Sequence, residues 1–137
     1  MKAVGVIAGL VAMFVIVIAV QMLGPLLHPA PVGLDPRDTA ALSQWVASAP
    51  VSVKLITVAA WLLSSLGGGW VAMRLSGWAA AAWIVAGADL LMALANVLRF
   101  EQPLWMVVAA VVAPLVGGWL AIRLGSSPAR ADASIDD

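Results

Sequence analysis

Asp89 is the residue best placed to do chemistry: a carboxyl in the middle of a long apolar run, with no Lys or Arg at its depth. An ionised carboxylate at the centre of a bilayer costs ~2.5–3.5 kcal/mol even on lenient insertion scales. The acid is therefore expected to be protonated, water-exposed in a cavity, or paired with something external. Ser64 and Ser65 fall at about the same depth in the preceding apolar run, and Pro114 lies at the centre of the following one. A proline removes one helical hydrogen bond, which here frees the carbonyl of Ala110 as an acceptor for a serine hydroxyl or for a protonated Asp89. Asn96 follows Asp89 by two helical turns, so it shares nearly the same face about 10 Å closer to the surface. Gln21 reaches a similar depth in the first run. The spacing predicts a polar path through Gln21 and Asn96 to Asp89, flanked by Ser64 or Ser65, that ends there because the remaining halves of the helices offer mainly glycine, alanine and tryptophan. Three uses fit these six residues: interhelical hydrogen bonds of ~0.6–2 kcal/mol each, an acid that couples transport, or a contact with another membrane protein.

Other chemistry is poorly supported. His28 has Asp35 and Asp38 near it in sequence and Glu101 across the same face, a set that matches no metal-site spacing. The two serines have no histidine base in the membrane. Gly67 to Gly69 lacks the lysine and hydroxyl residue of a phosphate loop. Glu101, beside Arg99 and before Pro103, reads as a turn. With no cysteine, disulfides, thiolate nucleophiles and cysteine metal sites are excluded. Seven Lys/Arg against seven Asp/Glu supply no electrostatic footprint for nucleic acid. No enzyme activity, catalytic residue, cofactor or metal is expected.

The elements that must position the polar residues follow from composition. The chain has 137 residues, of which 64% are hydrophobic and 10% charged, and a mean hydropathy of +1.06, which places it among integral membrane proteins. Uncharged or nearly uncharged runs predict four spans, at residues 4–23, 51–75, 78–98 and 104–124. The expected fold is all-α, an integral membrane four-helix bundle occupying residues 1–125. A cleaved signal peptide is the competing reading of the first run, but that run is long for such a peptide and has no clean small-x-small site at its end. Short turns between the last three spans predict antiparallel hairpins. Gly125, Ser126, Ser127 and Pro128 signal a helix stop, followed by a polar cytoplasmic tail over 126–137.

The long connection from Gly24 to Pro50 carries a further element. Asp35 reads as an N-cap, Pro36 as the first helical residue and Asp38 as an acidic first turn. Ala41, Leu42, Trp45, Val46 and Ala49 recur on one face, so a short amphipathic helix at 38–48 is expected at the interface, as a cap or lid. Lys2, Arg74, Arg123 and Arg130 fall on one side of the membrane against Arg37, Lys54 and Arg99 on the other. That asymmetry favours a multi-pass protein of the bacterial inner membrane with both termini cytoplasmic.

An eight-residue pattern appears twice. Residues 68–75 read GGWVAMRL and residues 117–124 read GGWLAIRL, at a constant offset of 49. The repeat predicts two parallel hairpins, spans one and two and spans three and four, related about the membrane normal. Gly67, Gly68, Gly69, Gly117 and Gly118, with Gly5 and Gly9 in the first span, are expected to let helices approach closely. The alanine-rich third span is expected at the centre. Trp70 with Arg74, and Trp119 with Arg123, sit four apart and read as duplicated interface anchors with cation–π geometry.

The run from Leu23 to Leu34, which reads LGPLLHPAPVGL, together with Ala95–Asn96 and Pro103–Leu104–Trp105, resembles a group of small bacterial four-span membrane proteins without an established function. That resemblance implies four spans and a structured outer loop and carries no activity; Asp89 is not part of its pattern. The architecture is also similar to the small multidrug transporters, dimers of four short helices around a membrane carboxylate. Their acid is on the first helix, and this first helix has none. The leading functional expectation is a small accessory or scaffold protein, in contact with membrane lipid and forming a homodimer or binding a membrane-protein partner. The alternative is a dimeric proton-coupled carrier of a small or lipophilic solute that uses Asp89.

Overall fold

The computed structural model describes residues 2–100 and 102–136, with side chains described to residue 125. All regular structure among the described residues is helical: α1 (Lys2–Gln21), α2 (Gly24–Leu27), α3 (Thr39–Ala47), α4 (Val51–Ser76), α5 (Ala79–Arg99) and α6 (Leu104–Asp136). Four of these helices are long and apolar enough to cross a membrane, with the α6 segment at Leu104–Gly125. At 1.5 Å per residue each covers the ~30 Å hydrocarbon layer. The chain is thus an all-α, multi-pass membrane protein. The first three expected spans and the short helix expected at 38–48 match observed helices to within two residues, and the fourth matches at its start.

α4 is the hub. It packs against α1, α5 and α6, whereas among the described residues the α1 and α6 backbones do not come together. The reason lies in its buried positions. Ala60, Ser64, Gly68 and Ala72 form one row at four-residue spacing, and Trp61, Ser65, Gly69 and Met73 form the adjacent row. A helix with two adjacent buried rows, one small throughout and the other with Ser65 and Gly69 between Trp61 and Met73, can serve two sets of neighbours. A Cβ added at Gly68 would lie 2.7 Å from the Gly9 carbonyl and 2.8 Å from Met13 Cβ in α1, and one at Gly69 would lie 3.1 Å from Ala121 Cβ in α6. α1 answers with a single stripe, Gly5, Gly9, Met13 and Val17, and turns Val4, Ile7, Val11, Phe14, Val15 and Ile18 outward. The third span, expected at the centre because of its alanines, takes second place, because α5 buries only one broad face.

The duplicated pattern does not produce duplicated packing. Exchange of α1 with α5 and α4 with α6 would require an α1–α6 contact to match α4–α5, and among the described residues those two backbones do not come together. Gly68 faces α1, while its counterpart Gly117 faces α4, where an added Cβ would lie 2.7 Å from the Leu62 carbonyl. What repeats is the anchor. The Arg74 guanidinium lies 5.5 Å from the Trp70 ring centroid and that of Arg123 lies 5.0 Å from Trp119, with Lys2 Nζ 4.8 Å from Trp78 beside them. Together they form a basic-aromatic belt on the face that carries the chain ends.

The turns follow their chemistry. Gly77 ends α4 in the left-handed conformation, φ +67°, and its N–H donates to the Met73 carbonyl at 2.8 Å, which makes the predicted tight turn into α5. In the long connection the cap is Asp38, not Asp35. Asp38 Oδ1 accepts from Ala41 N at 3.1 Å, whereas Asp35 Oδ1 accepts from Arg37 N at 2.9 Å. Pro36 and Arg37 form a turn of their own, so the helix starts after them rather than within them. The single-turn α2 was not anticipated; Pro25, already fixed in φ near its start, is the local signal for it. The expected stop near Gly125 is also absent, since the α6 backbone continues to Asp136. The alternating alanines after Pro128 favour helix and outweigh one lost hydrogen bond. The solvation expected of the tail side chains, and Glu101, lie outside the described residues.

Candidate functional sites

At the midplane, α5 presents Asp89, fully buried and midway between Ala79 and Arg99. Ser64 of α4 meets it with Oγ 3.0 Å from Asp89 Oδ1 and 3.1 Å from its own Trp61 carbonyl. A serine hydroxyl has one hydrogen, so it cannot donate fully to both acceptors. Its Oγ is therefore shared between the Trp61 carbonyl in its own helix and Asp89 in the next. Asp89 Oδ2 is buried with no partner. Ser65, on the adjacent row of α4, turns the other way and donates to the carbonyl of Pro114 at 2.6 Å. The acceptor expected from helix geometry was the Ala110 carbonyl. The contact falls a turn later, next to the close approach of α6 to α4 at Gly117, whose added Cβ would lie 2.8 Å from Ser65 Cβ. Of the expected constellation, the structure brings together Asp89 with Ser64, and Ser65 with Pro114.

Gln21 and Asn96 are elsewhere. They line a cavity of about 250 Å³ at the opposite end of the bundle from the anchor belt. Pro25 and His28 wall it on one side, Trp45 and Val46 of α3 cover it, and Lys54, Thr57, Phe100, Gln102 and Met106 complete it. α3 is positioned through His28, whose Nε2–H donates to the Trp45 carbonyl at 3.0 Å and whose ring stacks on Trp45 at 5.5 Å and 8°. Lys54 Nζ reaches the Ala47 carbonyl at 3.5 Å. Trp45 Nε1 and Gln102 Oε1 are buried without partners. The predicted face of α3, Ala41, Leu42, Trp45, Val46 and Ala49, is the half-buried one, while Gln44 and Ser48 are exposed.

The predicted continuous path is interrupted. A cluster of Val17, Trp61, Ala93, Val97, Met106 and Ala110 separates the cavity from Asp89, and a second cluster of Met13, Ala72, Ala81 and Val85 closes the other side. Thr57 and Ser64, like Asn96 and Asp89, are two turns apart, about 10 Å of helix, and the fully buried Trp61 fills the turn between. Trp61 was missed in the sequence. The available signal was a tryptophan far from either interface, where such rings normally sit. Among the described residues no group of three His, Cys, Asp or Glu side chains is placed to hold a metal ion.

The fold and these two polar regions define a four-span α-helical membrane protein with a closed midplane acid and a covered vestibule. No known protein family, curated protein or solved structure matches the chain.

Proposed function

We propose that the protein is a small accessory or scaffold subunit of the bacterial inner membrane, with both termini cytoplasmic, that works through membrane-protein contacts rather than by moving solute. The observation that carries this reading is the sealing of Asp89 and Ser64 between two apolar clusters. Their hydrogen bond then acts as a fastener between α4 and α5. Small residues on both buried rows of α4 support a rigid platform, and the basic-aromatic belt fixes its depth. In the sequence four basic residues, Lys2, Arg74, Arg123 and Arg130, fall on the side of the chain ends against Arg37, Lys54 and Arg99, which supports that side as the cytoplasmic one.

The carrier reading keeps one specific observation, the partnerless Asp89 Oδ2, which a solute or a second copy would satisfy. Two measurements separate the readings. Purification from native membranes is expected to yield a stoichiometric complex with a different membrane protein. Proteoliposomes of the chain alone are expected to show no saturable, pH-driven solute movement. Such movement, present in the native chain and abolished in Asp89→Asn, would replace the scaffold reading with the carrier.

A further inference from the structure

We infer that the covered vestibule is a binding site for a small organic anion with a short apolar body, held by Lys54 and the side-chain amides of Gln21 and Asn96. The inference stands apart from the scaffold reading, because the vestibule and the midplane acid are separated by Trp61 and Met106.

Size limits the occupant. A volume of about 250 Å³ corresponds to roughly eight waters at ~30 Å³ each, so the ligand has on the order of eight non-hydrogen atoms. Wall chemistry sets its class. Pro25, Val46, Val53, Phe100 and Met106 provide an apolar surface. Lys54 is the cation in the lining; its one acceptor is the Ala47 carbonyl at a long 3.5 Å, and among the described residues no carboxylate pairs with it. The Trp45 ring, stacked on His28, forms the apolar roof over the same space. Gln21, Asn96 and Gln102 add amides that can donate or accept around the same space. This combination, a mostly apolar pocket with a few convergent polar groups, is the usual composition of a small-molecule site. The covering helix α3 packs on none of the four spans through its backbone and is tied down by His28, so the roof can open without disturbing the bundle.

The ligand chemistry has two sources, a soluble carboxylate or the phosphate of an anionic lipid at the membrane surface. The test uses the full chain in nanodiscs of zwitterionic lipid, titrated with pentanoate and followed calorimetrically and by tryptophan fluorescence. Saturable binding of pentanoate, with pentanamide at least about tenfold weaker, is expected. Lys54→Gln should weaken pentanoate at least about tenfold, Lys54→Arg should retain it, and Trp45→Phe should remove the fluorescence change. Asp89→Asn should bind as the native chain does. Competition when phosphatidylglycerol is added to the discs assigns the site to lipid phosphate; unchanged binding assigns it to a soluble acid. Absence of saturable binding, equal binding of the amide, or unaltered affinity in a folded Lys54→Gln variant would overturn the assignment.

Discussion

The midplane layer and the vestibule are built by the same helices two turns apart, yet they use their polar atoms in opposite ways. At the midplane, Ser64 and Ser65 reach across to neighbouring helices at 3.0 and 2.6 Å, and the space around them is filled. In the vestibule Gln21, Asn96 and Lys54 surround open volume, and the nearby Trp45 and Gln102 leave polar atoms unsatisfied. The difference comes from residue size. Gly68, Gly69 and Gly117 bring the backbones together at the midplane and toward the anchor belt, whereas at the other end the helices leave a cavity that α3 covers. Hydrogen bonding between spans requires that close approach; a pocket requires its loss.

The separation of the two regions depends most on the wall between them. Trp61→Ala removes a fully buried ring and is expected to cost ~3–5 kcal/mol, read as a lower unfolding midpoint in bicelles. It should also join the vestibule to the acid, so that the Asp89 carboxyl band in the infrared shifts promptly in D2O, where the native band shifts slowly. A native band that exchanges at once would show that the midplane is not sealed. Gly117→Val forces α6 off the Leu62 carbonyl and lengthens the Ser65–Pro114 bond, at an expected ~1–3 kcal/mol. A crosslink between cysteines placed on α4 and α6 should form more slowly in that variant, with α1–α4 crosslinking unchanged.

Smaller changes sharpen the contrast. Ser64→Ala leaves Asp89 with neither oxygen bonded and is expected to cost ~0.6–2 kcal/mol. Asp89→Asn presents an amide toward Ser64 and should fall within about 1 kcal/mol of the native chain. If Asp89→Asn proved the more damaging of the two, the carboxyl would have a role beyond fastening α4 to α5. The smallest effect is expected for His28→Ala. Amide exchange in α3 should accelerate while that of the four spans stays constant, and global stability should change by no more than about 1 kcal/mol.

The spans were legible because a bilayer demands long uninterrupted apolar helices, and residues 51–75 or 104–124 have no other solution. That Ser64 or Ser65 lies level with Asp89 is legible from depth, but which of the two meets it is not. Depth does not give azimuth, however, and that is why Gln21 and Asn96 were placed on a path that the Trp61 ring blocks. That α4 and not α5 is the hub has a similar reason. Alanine content marks α5 as packable, but the two adjacent rows at four-residue spacing that make α4 central are visible only when position, rather than composition, is counted. The Pro114 contact depended on where α6 crosses α4, a tertiary distance set by Gly117.

The order of packing along the chain also has a consequence for how the protein is made. Gly5 rests on Ser76, which leaves the ribosome roughly 70 residues later, several seconds at about 5–20 residues per second. During that wait α1 must reside in lipid alone, and the stretch from Val4 to Val20 holds no charged or polar side chain that would resist it. The polar residues arrive in the reverse sense. Asp89 enters after Ser64 is already in place, and the Pro114 carbonyl enters after Ser65, so each later helix meets its hydrogen-bonding partner on a neighbour synthesised before it.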